Sequence, residues 1–491
     1  MNKLEIKKIL FFIIVSILFT FNFFNVHYAL DTYFTVNSGY RGYIDMFSKN
    51  GRLITALIWK IADIIKIPVN NFIILGGIFS AIICGLSIYV IFKKLNKLIN
   101  KNNEKNKEII ICILSIIFIF NCMLLQNFVF AENFVMILGL YLAINAAIMV
   151  DNENILMENI IPSLILIIAT CCYQGIINVY LTLASIIIFI NYNNDIKNIF
   201  TKFIKVCINY IIAMGTNFAI IKFINKFILI NQTVRIEGNL DLMYNILFPL
   251  KMLKSVLIET AGMMPQYLFL IILIISVSIY IYTVIKNKVN IKNIVISVII
   301  FFIAYLSCFV PMMALSKESL DAAARLLFSI GALPGVIIIL SYYLNKEINI
   351  EKIILVFMSI LLIVNLANYL FISREHLITN RNDIAETKEI YKLIEKYEKE
   401  NNIKVDTVVA GMDKNPKYYY DRNYYKNELT VRANYIGFIE TAVLNMVSKR
   451  SFNYINMNQI QKEKYFKNID YDKFNENQIV FENNIMYWYK Y

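Results

Sequence analysis

Residues 9–52 read ILFFIIVSILFTFNFFNVHYALDTYFTVNSGYRGYIDMFSKNGR, and this stretch decides how the chain is interpreted. Its first half is an apolar run long enough to cross a lipid bilayer. Its second half, from residue 27 onward, is polar where a membrane protein needs only a short turn. A carboxylate at Asp31, with arginines close behind it, therefore lies just beyond a predicted span, where lipid-borne and aqueous molecules meet.

The composition of the whole chain indicates a polytopic integral membrane protein. Hydrophobic residues make up 58% of the 491 residues, and the mean hydropathy is +0.58. The net charge of +13 does not indicate a nucleic-acid partner, because many lysines fall in short loops between apolar runs, where they set orientation. All seven cysteines lie in apolar runs, so neither a disulfide framework nor a zinc site is indicated.

Hydropathy in windows of about 19 residues predicts about eleven membrane spans. Residues 160–190 are too long for one upright helix, so we divide them at Tyr173, Gln174 and Gly175 into two short helices. The predicted spans cover residues 9–26, 71–92, 109–126, 134–150, 160–173, 176–190, 206–224, 267–285, 293–314, 325–344 and 353–372.

Lysine placement predicts the orientation of these spans in the cell membrane. Lysines concentrate in the short loops within residues 93–107, 197–205, 286–292 and 346–352, and this pattern marks the cytoplasmic side. The N-terminus is then cytoplasmic. The loop at residues 27–70 and everything after about residue 373 are predicted to be extracytoplasmic.

Two domains are predicted, and the fold class is mainly α. Residues 1–372 form a transmembrane helix bundle whose external loop, residues 27–70, carries Asp31 and an amphipathic helix lying in the membrane interface. Residues 373–491 change to mixed charge and aromatics, which indicates a small soluble α/β domain. Within it, residues 406–410 predict a buried strand, and residues 478–491 alternate like a hairpin.

Asp31 after the first span, and Asn50-Gly51-Arg52 opening the interfacial helix, resemble the type II O-antigen glucosyltransferases of bacteria. That family belongs to the C-type (GT-C) superfamily of polytopic glycosyltransferases. The resemblance covers residues 9–371, with its motif confined to residues 31–57. It implies transfer of a glucose-like sugar from a polyprenyl-phosphate donor to a cell-surface polysaccharide or other glycan acceptor, at the outer face of the cytoplasmic membrane.

One departure from that superfamily bears on cofactors. Many members have two adjacent acids in the first external loop, whereas Asp31 is followed by Thr32. With only one acid at this position, a divalent metal is not supported. We therefore expect no metal and no other cofactor.

The chemistry implied by the resemblance requires a general base and cations. A carboxylate must accept the proton of the attacking hydroxyl, and positive charge must stabilise the departing phosphate. Asp31 is the candidate base of a single displacement; its alternative role is a helix cap. Arg52, Arg325 and Arg41 are candidate phosphate ligands, since the planar guanidinium suits phosphate oxygens. The alternatives are a snorkelling residue for Arg325 and a solvated loop charge for Arg41.

Three further residues are candidates for binding the sugar or the acceptor. Glu132 lies in a short external turn, where capping of the following span is the alternative. Tyr173 and Gln174 lie at the predicted hairpin, where interhelical hydrogen bonds are the alternative.

Two other functions remain open. One is a transporter or flippase of a lipid-linked saccharide, although the chain lacks the matching halves typical of transporters. The other is a polysaccharide ligase or polymerase, which would share the topology and the lipid-phosphate leaving group.

Overall fold

The computed structural model describes residues 3–490 apart from 103, 153, 155, 193–194, 229–240, 318–319, 321, 414–418, 421–428 and 468–475. The described chain is mainly helical and carries one four-stranded sheet close to its C-terminus. The predicted combination of many apolar helices with a small C-terminal α/β part is confirmed at this level.

The elements of regular structure follow in chain order. The α-helices are α1 (Lys3–Thr20), α2 (Thr32–Ser38), α3 (Arg41–Lys49), α4 (Leu53–Ile65), α5 (Val69–Ile99), α6 (Lys105–Ile119), α7 (Asn133–Ile148), α8 (Ile161–Cys172), α9 (Asn178–Tyr192), α10 (Ile196–Phe227), α11 (Leu242–Lys251), α12 (Leu268–Lys286), α13 (Ile291–Leu306), α14 (Phe328–Gly331), α15 (Leu333–Leu344), α16 (Ile348–Asn401), α17 (Gly437–Ser448) and α18 (Gln459–Phe466). The strands are β1 (Thr407–Met412), β2 (Asn453–Asn456), β3 (Ile479–Glu482) and β4 (Ile485–Lys490). Short 3-10 helices that matter below are Cys122–Phe128, Gln174–Ile176, Ala324–Leu326 and Ala433–Tyr435.

The number of membrane-spanning helices differs from the prediction of about eleven. Within the described ranges, six helices are long and apolar enough to cross a bilayer, and a bent pair, α6 with Cys122–Phe128, raises the number to seven. Three further apolar helices are shorter than a usual span: Asn133–Ile148, Leu156–Cys172 and Leu333–Leu344. The predicted count is therefore not confirmed, while several spans are. The six helices are Val69–Ile99, Gln174–Tyr192, Ile196–Phe227, Leu268–Lys286, Ile291–Met313 and Ile348–Asn401.

Ion pairs show which helix ends lie together. Lys8 near the start of α1 pairs with Glu108 near the start of α6 at 2.5 Å. Lys94 near the end of α5 pairs with Asp151, just after the end of α7, at 2.6 Å. The lysine-rich ends of these helices thus meet at one end of the bundle. The opposite ends of the same helices lie on the side of residues 27–65.

The division between α8 and α9 falls where the sequence predicted it. Tyr173 has an extended backbone, with φ −162° and ψ 116°, and ends α8. The next helix, α9, begins at Asn178 after one 3-10 turn. Because the chain reverses here, α9 returns toward the lysine-rich end of the bundle.

The C-terminal part is built on the second half of α16. This helix has 54 residues, which at about 1.5 Å per residue gives roughly 80 Å, well beyond the thickness of a bilayer. It runs without a break through residue 373, the predicted domain boundary. The sheet that follows has the order β2-β1-β4-β3, with β1 parallel to β2 and β4. The strand predicted at residues 406–410 and the hairpin of β3 with β4 are confirmed.

The C-terminal part packs against the segment that carries Asp31. One hydrophobic cluster joins aromatic residues of residues 28–59 to Ala433 and to α17. The Asn37 side chain donates to the Ala442 carbonyl at 2.6 Å. The Asn380 amide accepts from the Tyr28 N–H at 2.8 Å and donates to the Tyr28 carbonyl at 3.1 Å. The hydrogen bonds of Asn37 and of Asn380 therefore fix both ends of residues 28–37 against the C-terminal part, which we also call the tail.

Candidate active site

A polar cavity lies at the end of the bundle that carries residues 27–65. Its volume is about 300 Å³, at the lower end of the range for small-ligand sites. Of the predicted site residues, Asp31, Arg52, Glu132 and Arg325 line it. These four come from positions almost 300 residues apart, and the up-and-down path of the helices brings them to the same end.

Asp31 lies immediately before α2, and its carboxylate has no partner in the part of the chain that the structure describes. It occupies the N-cap position, yet its side chain makes no capping hydrogen bond, so the helix-cap alternative is not supported. Among the described residues, no ion pair or hydrogen bond involves its carboxylate, which is exposed to the cavity side. Its backbone carbonyl accepts a hydrogen bond from the Tyr43 hydroxyl at 2.6 Å. The carboxylate is therefore available to accept a proton.

Tyr43 lines the cavity next to Asp31. Burial, with the neighbouring Asp31 charge adding to it, raises the pKa of the Tyr43 phenol above its ordinary value. The hydroxyl therefore stays protonated and keeps donating to the Asp31 carbonyl. This bond links α3 to the start of α2.

Glu132 and Arg52 form a loose pair within the cavity. The Glu132 Oε1 atom lies 3.8 Å from the Arg52 Nη1 atom, beyond ordinary hydrogen-bond distance. Glu132 holds the N-cap position of α7 without a side-chain capping bond. Burial raises the pKa of Glu132, and the Arg52 charge opposes that rise. The Arg52 guanidinium also lies 4.6 Å above the ring centroid of Tyr173.

The loop that precedes Arg52 is held by three side-chain amides, which we call the amide clamp: Gln174, Asn217 and Asn225. Each donates to one of three consecutive backbone carbonyls. The bonds run from Asn225 Nδ2 to Lys49 O (3.3 Å), from Gln174 Nε2 to Asn50 O (2.6 Å) and from Asn217 Nδ2 to Gly51 O (2.9 Å). Gly51 has φ +71°, and a Cβ there would lie 2.6 Å from Ile221. Glycine is thus required, and the loop is fixed on α10.

Arg325 reaches the cavity from the opposite half of the chain. It lies in the 3-10 helix Ala324–Leu326, and its backbone N–H donates to Gln126 Oε1 at 2.7 Å. Its guanidinium lies 4.7 Å above the ring of Phe130, which also lines the cavity. A charge stacked on a ring at the cavity wall is placed to contact a bound anion.

Arg41 and the two hairpin residues occupy other places. The Arg41 side chain is 89% exposed, lies 3.5 Å from Asp63 and does not line the cavity. This placement favours the solvated loop charge over the phosphate ligand. The Tyr173 ring packs against the Arg52 guanidinium, and the Gln174 side chain donates to the Asn50 carbonyl in the loop before Arg52. Their predicted contact with sugar or acceptor stays a prediction.

Sequence reasoning did not select Lys49. It closes α3, lines the cavity and is only 7% exposed. In a lysine-rich chain, a single lysine in a polar loop gives no signal of its own. The one sequence feature that could have identified Lys49 as a site residue is its position three residues before Arg52, in the same glycine-containing turn.

Within the described ranges, no three His, Cys, Asp or Glu side chains come together as a potential metal site. The cavity itself offers two carboxylates, Asp31 and Glu132. Its other charged lining residues are the cations Lys49, Arg52 and Arg325.

The fold and the cavity together define a polytopic membrane protein with a polar, mixed-charge site at one end of its helix bundle. The chain belongs to the glucosyl transferase GtrII family, whose model matches residues 20–340. It is thus a glycosyltransferase, and the predicted family is confirmed. No curated protein and no solved structure matches the chain. The family match includes every residue that lines the cavity and ends before α16.

Proposed function

We propose that this protein transfers a glucose-like sugar from a polyprenyl-phosphate donor to a cell-surface polysaccharide or other glycan acceptor. The reaction takes place at the outer face of the cytoplasmic membrane, with the N-terminus cytoplasmic and the C-terminal part extracytoplasmic. The observation that carries the proposal is that Asp31, whose carboxylate no described residue pairs with, lines one cavity with the cations Arg52 and Arg325.

Those residues can perform a single displacement at the anomeric carbon. The acceptor hydroxyl oxygen forms a bond to C1 of the sugar, and Asp31 takes the hydroxyl proton. The bond between C1 and the phosphate oxygen breaks, and its electron pair leaves with the polyprenyl phosphate. The arginines stabilise the charge that develops on that phosphate. Fixed cations stabilise a developing negative charge most strongly in a site that is shielded from bulk water.

Asp31 suits the role of base better than the other acids nearby. Glu132 is buried and already has a cation nearby, with its Oε1 atom 3.8 Å from Arg52 Nη1, whereas no described residue pairs with the Asp31 carboxylate. Asp45 is exposed and does not line the cavity. Glu132 is better placed to accept a hydrogen bond from a sugar hydroxyl while it orients Arg52.

Transfer of label from lipid to glycan tests the proposal. Membranes with and without the protein receive polyprenyl phosphate carrying radiolabelled glucose, and label is followed from the lipid extract into the glycan fraction. Protein-dependent transfer supports the proposal. Label that stays in lipid but crosses the membrane supports a flippase instead. Transfer from a nucleotide sugar in membranes stripped of polyprenyl phosphate contradicts the lipid donor.

A further inference from the structure

Lys49 is a mostly buried lysine that lines the cavity and has no counterion among the described residues. Only 7% of it is exposed, and its backbone carbonyl, not its ammonium, is held by the amide clamp. No carboxylate of the described chain lies within ion-pair distance of its Nζ atom, and no hydrogen bond engages that atom. The Nζ atom is not among the fully buried side-chain atoms that lack a partner, so the stem of Lys49 is packed away while its ammonium stays accessible to an anion in the cavity.

The backbone that carries Lys49 is rigid. Lys49 is the last residue of α3, Arg52 is the N-cap residue of α4, and the amide clamp holds the carbonyls between them. Two cations at the ends of one fixed turn therefore reach the cavity together. A site whose cations are placed in advance loses less entropy when an anion binds.

The start of α4 adds to this positive region. The helix has 13 residues, and the Arg52 side chain makes no capping bond to its first turn. The partial positive charge of a helix N-terminus favours an anion. Here the N-terminus of α4 lies at Arg52, three residues after Lys49.

The net charge of the cavity supports a role for Lys49 both when the donor binds and when the phosphate leaves. Among the described lining residues, Lys49, Arg52 and Arg325 face two carboxylates, Asp31 and Glu132. The net charge is thus one positive, which matches the single negative charge of a phosphodiester that links a sugar to a lipid. When Asp31 takes the proton, the cavity gains one positive charge as the leaving phosphate gains negative charge. Without Lys49 the cavity starts neutral.

We propose that Lys49 binds the phosphate of the donor and of the departing lipid, together with Arg52, at the amide-clamped turn before α4. This inference rests on the proposed function for the identity of the phosphate. The site itself is an anion site for a phosphate ester, and that part can be measured without any sugar transfer.

Binding of a polyprenyl monophosphate without sugar tests the inference. The purified full-length protein in detergent is titrated with this lipid, with the corresponding polyprenol, and with inorganic phosphate. Trp59 lines the cavity and reports binding by fluorescence, and the other tryptophan of the chain, Trp488, lies in the sheet. The variants are Lys49→Met, Lys49→Arg and the control Lys60→Met, which removes an exposed lysine from α4.

We expect Lys49→Met to weaken binding of the polyprenyl phosphate by about tenfold or more, because a charge-assisted contact is lost. Lys49→Arg should recover part of the affinity, and Lys60→Met should bind as the wild type does. Equal affinity of Lys49→Met and wild type for the phosphorylated lipid would overturn the inference, as would an equal loss for polyprenol. If inorganic phosphate competes in a manner that depends on Lys49, the site recognises the phosphate group and not the lipid.

The two proposals fail in different ways. Lys49-dependent binding in a protein that transfers no sugar leaves the anion site standing and removes the proposed function. Sugar transfer from the lipid donor at wild-type rates in Lys49→Met supports the proposed function and removes the role of Lys49.

Discussion

Two regions of this molecule join an arginine to carboxylates, and they do so in opposite ways. In the C-terminal part, Arg432 Nε lies 2.6 Å from Asp383 Oδ1, and a second guanidinium nitrogen contacts Glu386. Asp383 also accepts from the Ala433 N–H at 2.8 Å. In the cavity, Arg52 stays 3.8 Å from Glu132, and Asp31 has no partner among the described residues.

The difference separates an ion pair that is closed by the protein itself from one that borders an open cavity. The Asp383 side chain is fully buried, and its oxygens are occupied by the protein itself. Such a closed network contributes a defined geometry and leaves no room for a substrate. The cavity pair is incomplete, and empty space lies beside it. Substitutions in the first region should therefore change stability, and those in the second should change activity.

The largest effect is expected at Asp31. Asp31→Asn keeps the size of the side chain but removes the proton acceptor, so transfer of labelled glucose should fall by roughly a hundredfold to ten-thousandfold. Thermal unfolding in detergent should not change, since the carboxylate makes no ion pair or hydrogen bond within the described ranges. Asp45→Asn is the control and should keep full activity. Near-normal turnover of Asp31→Asn would move the role of base to Glu132.

The next effect is expected at Arg432, on stability. Arg432→Leu leaves the fully buried Asp383 without its counterion, and breaking a buried pair in this way costs about 3 to 5 kcal/mol. Chemical denaturation of the purified protein measures the loss. Lys464→Met, which removes an exposed pair with Glu482, should change nothing measurable. A stable Arg432→Leu protein would mean that this network does not hold the tail.

A smaller effect is expected when arginine is replaced by lysine in the cavity. Arg52→Lys and Arg325→Lys keep the charge but lose the planar fork, and a loss of two hydrogen bonds lowers the rate on the order of a hundredfold. The rate is measured at limiting lipid donor. Arg41→Lys is the matched control, because Arg41 lies outside the cavity. Wild-type rates in both cavity variants would place the phosphate elsewhere.

The smallest effect is expected in the amide clamp. Asn217→Leu removes the hydrogen bond to the Gly51 carbonyl and also the oxygen that accepts from the Gln174 amide. A loss of about 1 kcal/mol in positioning lowers kcat/KM about fivefold to tenfold. Asn209→Leu is a control on the same helix, since Asn209 bonds to Ser163 away from the cavity. Both variants should lose some stability, but only the first should lose rate. Equal rate losses would make the clamp a purely structural feature.

The sequence alone predicted four of the residues that line the cavity, because few polar residues stand at the ends of apolar runs. Asp31, Arg52 and Glu132 each interrupt or end such a run, and an up-and-down bundle places alternate ends together. The same reasoning predicted the helix break at Tyr173. These features depend on local sequence and on the alternation of helix direction, both of which can be read without a structure.

The remaining features depend on contacts between distant positions. Asn217 and Asn225 lie within a long apolar helix, where nothing in the sequence distinguishes them from other polar residues facing neighbours. Lys49 resembled the many solvated lysines until burial set it apart. The predicted count of about eleven spans is not confirmed, because several apolar helices of the described chain are bent or shorter than a usual span.

The contact between the tail and residues 28–37 has a consequence for the synthesis of the protein. Ribosomes deliver the chain from the N-terminus, so Asp31 emerges long before Asn380 and Ala442, which hold its segment. A chain interrupted after residue 340 would contain every cavity residue and yet lack the surface on which α2 rests. We expect the growing polypeptide to stay inactive until residue 442 has been translated, which delays catalysis until the helices that carry the cavity have all been inserted.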